Sequence, residues 1–288
     1  MIKNTALLKK RLDELYNAYD KEFLSSDPLF YLHRFNSSAD REIVGLIASS
    51  LAYGRVKGIK NSIEKVLGVM EGSPEAFVRN FRPHMEGRLF NGFRHRFNVG
   101  EDVACLIYFM RQMLEQSGSI GGFFMRGYTP EDYNIKSALT AFTSDVLALD
   151  RAGIYGAGQL PAKAGVRFFF PSPAGGSSCK RLNLYLRWMV RCGDSLDLGL
   201  WKGVSPAKLV IPLDTHIARI SVNLGLSTRK SRDWKMAEEI TESLKKLDSE
   251  DPVKYDFALC RLGILDKCPH KVNKFKCSQC LLRDICVL

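Results

Sequence analysis

Four cysteines, Cys268, Cys277, Cys280 and Cys286, fall within the last twenty-one residues of the 288-residue chain, separated by eight, two and five residues. Their neighbours are Lys, His, Arg and Asp rather than apolar side chains. Thiolates bunched in this way share a metal centre. Two tight pairs would read as a four-cysteine zinc site. One wide gap, then a tight pair and a medium gap, is instead a pattern by which a short loop wraps a 4Fe–4S cluster. Zinc is the alternative. The other cysteines, Cys105, Cys179, Cys192 and Cys260, lie in helical patterns and read as reduced thiols that serve as small buried hydrophobes.

Two further residues can do chemistry. Asp214 stands in the string Ile211-Pro212-Leu213-Asp214-Thr215-His216-Ile217-Ala218-Arg219-Ile220, immediately before an apolar-periodic helix. Its plainest role is the N-cap, accepting from exposed backbone amides at a gain of about 1 kcal/mol. A carboxylate fixed there can also stabilise a nearby oxocarbenium-like centre or orient a nucleophile. Lys180 closes the stretch Gly175-Gly176-Ser177-Ser178-Cys179-Lys180 and is followed by Arg181 and an apolar run. Desolvation of its stem would favour the neutral, nucleophilic amine. The plainer reading is a lysine that snorkels to solvent or holds a phosphate as a point charge. The tight backbone at Gly175, Gly176 and Ser177, with Arg181 beyond, lets a phosphate approach helix-terminal amides.

The elements that must position these groups are helical. Leu8, Leu12, Leu15 and Tyr19 recur at helical spacing, as do Val103, Leu106, Met110 and Leu114, and no convincing strand alternation is found. Ser37 with Asp40 three residues on resembles a capping box for a helix running to about Gly54, and Ser73-Pro74-Glu75 offers a second N-cap. Residues 182–190 are apolar nearly all round, which predicts a buried central helix. Further helices are predicted near 215–223, 232–247 and 252–262, with loops at 117–130, 151–178 and 193–212. The fold class is all-α, and the length suits two modest cores.

Composition narrows the partners. Net charge is +11, and excess positive charge attracts polyanions. Arg79, Arg82, Arg88, Arg94, His95 and Arg96 interleave with Phe81, Phe90, Phe93 and Phe97. Cations beside rings suit a nucleic-acid surface; the rings can equally be core. No apolar run approaches the roughly 20 residues that span a bilayer, and the start of the chain does not read as a signal peptide. A cytoplasmic protein is expected.

Together these residues resemble the helix–hairpin–helix DNA glycosylase superfamily, most closely its endonuclease III-like branch with a C-terminal 4Fe–4S loop. The Leu-Asp-Thr-His-Ile-x-Arg-Ile string at 213–220 is similar to the signature around that branch's catalytic aspartate, and helices, a glycine and four cysteines follow in the same order. The resemblance covers most of the chain from about residue 35 and is strongest over 205–286. Within the superfamily the chain looks like a member of a bacterial family without an established function. The turn Pro173-Ala174-Gly175-Gly176 departs from the family's hairpin, and the residue aligned with the family's gap-filling side chain lies near Ala52.

The resemblance implies two helical subdomains with a cleft between them. One is a helical barrel at 31–204; the other is a discontinuous cluster-bearing domain of 1–30 and 205–288. It further implies a monomer that binds double-stranded DNA, flips out a damaged base and cleaves its N-glycosidic bond, with strand-cleaving lyase activity where an amine attacks the sugar. Asp214 would be the conserved aspartate and Lys180 the amine. Cys268, Cys277, Cys280 and Cys286 would hold the cluster. Gly175, Gly176, Ser177, Arg181, His216, Arg94, Arg96 and Lys274 would meet DNA. The alternative is a non-catalytic iron–sulfur or zinc nucleic-acid-binding protein on the same scaffold.

Overall fold

A computed structural model describes residues 4–265, 267–269 and 271–287. The described residues are mostly helical. The chain divides into two compact units. One is the continuous span Ser26–Gly175; the other joins the N-terminal stretch up to Ser25 with everything from Gly176 onward.

Helix α1 (Thr5–Ala18) belongs to the discontinuous unit and buries Leu8, Leu12 and Leu15 along one face, as their spacing requires. The continuous unit contains α2 (Ser38–Ser50), α3 (Val56–Val69), α4 (Pro74–Asn80), α5 (Pro83–Glu86), α6 (Gly100–Ser117), α7 (Ile120–Met125), α8 (Lys136–Ala148) and α9 (Ala152–Tyr155). Helix α2 is buried from Glu42 through Ser50, and two of its acids cap other helices. Ser37 caps α2 through Asp40 N at 3.4 Å. Asp40 does not return the bond to close a capping box; its carboxylate accepts from Glu75 N at 2.8 Å. That contact supplies the α4 cap which Ser73 was expected to make and does not. Glu42, itself buried, accepts from Ile120 N at 2.9 Å and Gly121 N at 2.7 Å. It thereby fixes the start of α7 inside a stretch that reads as loop. A buried carboxylate is tolerable here because amides and the helix dipole replace its water.

The same unit carries a small antiparallel hairpin, β1 (Arg94–His95) and β2 (Asn98–Val99), with Arg94 opposite Val99 and His95 opposite Asn98. Strands this short show no alternation by which the sequence could announce them.

The discontinuous unit continues with α10 (Lys180–Val190), α11 (Thr215–Asn223), α12 (Trp234–Lys245), α13 (Asp256–Ile264) and α14 (Lys274–Ser278). Helix α10 is buried from Arg181 to Val190 and is the predicted central helix. Two arginines at its C-terminal end are buried with partners. Arg187 pairs with Asp256 and, at 3.3 Å, with Asp197; Arg191 pairs with Asp197, with Asp194 at 3.0 Å and with Asp251 at 2.8 Å. These pairs tie α10 to segments far along the chain. The division between the two compact units falls at Ser25/Ser26 and Gly175/Gly176. Among the described residues, no helix is long and apolar enough to cross a membrane.

Candidate functional site

Asp214 is the N-cap of α11, in extended conformation. Its Oδ1 accepts from His216 N and Ile217 N, both at 2.8 Å. The other oxygen, Oδ2, faces α13, where Cys260 Sγ donates to it at 3.5 Å. Burial pushes the Cys260 thiol well up, and the Asp214 charge acts in the same direction, so the sulfur keeps the proton that it donates. Lys180, the first residue of α10, lies close enough for its charge to act on the same thiol. The structure thus puts Asp214 and Cys260 in contact, with Lys180 of a third helix within reach of the same thiol's electrostatics.

One turn before Cys260, the fully buried Asp256 faces the same region. Burial and, after the opposing pull of Arg187, the Asp214 charge push its carboxyl up to about 6. Neither Cys260 nor Asp256 is marked by a local motif. Only their spacing of four along α13 puts both on one helical face, and that signal is shared by any amphipathic helix.

His216 is half-buried against α13. A Cβ built on Gly263 would lie 2.5 Å from His216 Nδ1 and 2.6 Å from its Cβ and Cγ. Glycine at 263 is therefore a packing requirement of the α11–α13 contact.

The cysteine tail is joined to α11 through Arg219. Its Nη1 donates to Cys268 Sγ at 3.1 Å and to Pro269 O at 2.7 Å. Elsewhere the tail is held by Cys268 N to Leu262 O at 3.1 Å and Val287 N to Asn223 O at 2.8 Å. Arg11 of α1 adds an ion pair with Asp284, Nε to Oδ2 at 2.8 Å. Asn273 caps α14 through Lys276 N at 3.0 Å, which sets Cys277 on a helical turn.

All four cysteines of the tail line one cavity of about 560 Å³, together with Lys267, Lys274 and Arg283. Burial pushes the Cys280 thiol up, and Cys268, Cys286 and Cys277 are near enough to act in the same direction. Among the described residues, no three His, Cys, Asp or Glu side chains gather at the spacing one metal ion requires. Zinc with sulfur bonds of about 2.3 Å would need thiolates roughly 3.8 Å apart. Four cysteine sulfurs in the lining of a cavity of several hundred Å³ are the donor type that a soft metal group takes. The Nε of Arg219 is buried without a hydrogen-bond partner among the described residues. An orphan donor beside the sulfurs also suits an electron-rich occupant.

The other sequence-derived positions separate. Gly175 and Gly176 are exposed and Ser177 half-buried. Gly176 adopts φ +79, and its carbonyl accepts from Trp234 N at 3.1 Å. This turn is therefore braced against the start of α12. Arg181 is buried at 7% exposure and begins the buried run of α10 that continues to Val190. Arg94 and Arg96 are exposed on the hairpin, and Lys274 is exposed at the first position of α14. Of the four interleaved phenylalanines, Phe81, Phe90 and Phe93 are core and Phe97 is exposed.

The chain belongs to the family described as "Protein of unknown function (DUF2400)", which it matches over residues 27–265. The matched span includes Lys180, Asp214 and Cys260 and ends before Cys268. No curated protein and no solved structure matches the chain.

Proposed function

We propose that this DUF2400 member is a DNA base-excision glycosylase with lyase activity, built on the helix–hairpin–helix glycosylase scaffold with a helical barrel and a cluster-bearing domain. Double-stranded DNA carrying a damaged base is the substrate. The base must leave the stack, because the reacting sugar carbon is inaccessible inside a duplex. Asp214, fixed by two amides at the mouth of α11, places negative charge beside the sugar as C1′ becomes electron-poor. The amine of Lys180 attacks C1′. The C1′–N bond breaks with its electron pair leaving on the base, which takes up a proton. The sugar ring then opens to a Schiff base with the lysine, and loss of a C2′ proton expels the 3′ phosphate.

One juxtaposition carries this reading. Asp214, Cys260 and Lys180 converge in the same unit whose α11 is tied by Arg219 to a cavity lined by four cysteines. Cys268, Cys277, Cys280 and Cys286 would hold a 4Fe–4S cluster there, which when bound supplies a rigid cross-link among the four thiolates. Lys267, Lys271, Lys274 and Lys276 on the same tail give positive charge for phosphates.

The test is borohydride trapping on abasic-site DNA, together with excision assays on duplexes carrying oxidised, deaminated and alkylated bases. A covalent adduct that Lys180→Gln abolishes is expected, with excision of at least one lesion. An adduct that survives the substitution moves the amine elsewhere. Salt-sensitive DNA binding with no adduct and no excision across the whole panel would replace the enzyme with the binding-only protein. Visible absorbance of the purified protein separates an iron–sulfur cluster from zinc, which is spectroscopically silent.

A further inference from the structure

We infer that the continuous unit carries a stacking platform for an unpaired nucleobase, formed by Tyr53, Phe97 and Phe168 and flanked by Arg94 and Arg96. The inference rests on the nucleic-acid reading above but not on any chemistry at Asp214.

The platform is an exposed aromatic cluster on a stiff support. Phe97 occupies the tip of the β1–β2 hairpin and is 54% exposed; Phe168 is 37% exposed. Their ring centroids lie 4.4 Å apart, and Tyr53 lies 5.3 Å from Phe97 and 4.9 Å from Phe168. Large rings left in contact with water forgo the burial that three of the neighbouring phenylalanines achieve.

Beneath the rings the fold is polar and tightly bonded. The buried His95 ring contacts Ser62 Oγ at 2.8 Å and Tyr53 O at 3.0 Å. Tyr53 Oη donates to His95 O at 2.9 Å and also to Asn98 Oδ1. Asn98 Nδ2 donates to Asp102 Oδ2 at 3.0 Å and to Gly165 O at 2.9 Å. The last bond ties the hairpin to the turn that carries Phe168. A two-residue hairpin is marginal by itself. Buried hydrogen bonds give it one conformation, and that conformation presents Phe97 outward.

The charge around the rings identifies the occupant. Arg94 and Arg96 are exposed on the hairpin, and Arg55 and Lys57 are exposed at the start of α3, which packs against β1. Arg96 takes φ +57, and its Cδ would lie 3.1 Å from a Cβ on Gly54. Its stem is thus laid across a glycine that leaves room for it. Rings that accept a π-face, rimmed by cations, match a base with its flanking phosphates.

The experiment uses the purified full-length holoprotein and fluorescence anisotropy with a labelled oligothymidine and a fully paired duplex of equal length. Phe97→Ala is expected to weaken oligothymidine binding by about 5- to 100-fold and to leave duplex affinity unchanged. Phe97→Tyr is expected to retain binding. Arg96→Gln should lower the slope of log affinity against log salt by roughly 0.7 on the single strand. Unchanged oligothymidine affinity in Phe97→Ala, or an equal loss on both probes, overturns the platform while leaving nucleic-acid binding in place. Absence of salt-sensitive binding to either probe by the unaltered protein overturns both readings together.

Discussion

Arg219 Nη1 lies 3.1 Å from Cys268 Sγ, and the helix that supplies this arginine begins at Asp214. A single guanidinium therefore links the candidate carboxylate's helix to the first cysteine of the tail. Hydrogen bonds to a ligating sulfur orient it and stabilise its charged form.

Arg219→Gln is expected to loosen whatever the four cysteines hold. Outer-shell losses of this kind cost roughly 10- to 100-fold in metal affinity. Iron content and visible absorbance, followed during incubation with a chelator, should decay faster in the variant while its helical circular dichroism is retained. Equal decay would mean that Arg219 does not support the group proposed for the four cysteines.

Gly263→Ala tests the α11–α13 contact. The added methyl would overlap the His216 ring, and overpacking in a well-filled contact costs about 1–3 kcal/mol. The urea midpoint should fall by a corresponding amount. Against a His216→Gly background, Gly263→Ala should cost less than it does alone, since both the ring and the Cβ it would overlap are then gone. No change in the single variant would contradict the packing described.

Asp256 gives a pH dependence of unusual sign for a carboxylate paired with arginine. Burial, reinforced by the Asp214 charge against the pull of Arg187, raises its folded-state value from 3.8 to about 6. The folded protein then binds this proton more tightly than the unfolded chain does. Its contribution to stability is full below the unfolded value and is lost as pH rises through about 6. The urea midpoint of the unaltered protein should fall relative to that of Asp256→Asn between about pH 4 and about pH 7. A midpoint that rises relative to the variant over that range would assign Asp256 a lowered value instead.

Much of the helical scaffold is legible in apolar spacing. Helix α11 runs from Thr215 to Asn223, as its pattern predicts, and α10 is buried where residues 182–190 are apolar nearly all round. What the spacing does not carry is long-range capping. Asp40 and Glu42 look like acids serving their own helix, yet they close the starts of α4 and α7. Such bonds depend on which helix ends meet in space, and no local pattern encodes that. The hairpin is missed because two-residue strands cannot alternate. Burial of Arg181 is not legible in its charge, because helix phase turns it inward. At the site, Asp214 as N-cap follows from its position before an apolar helix. The Cys260 contact does not, since a cysteine among apolar neighbours looks the same whether or not it meets a carboxylate.

The most direct test is Asp214→Asn. Asparagine keeps the side-chain oxygen that accepts from His216 and Ile217 and is an equally good N-cap. Stability should change by less than about 1 kcal/mol, and DNA binding should persist. Excision measured in single turnover on a substrate lesion should fall by roughly 100-fold or more. Excision at the unaltered rate in a folded Asp214→Asn protein would contradict the account.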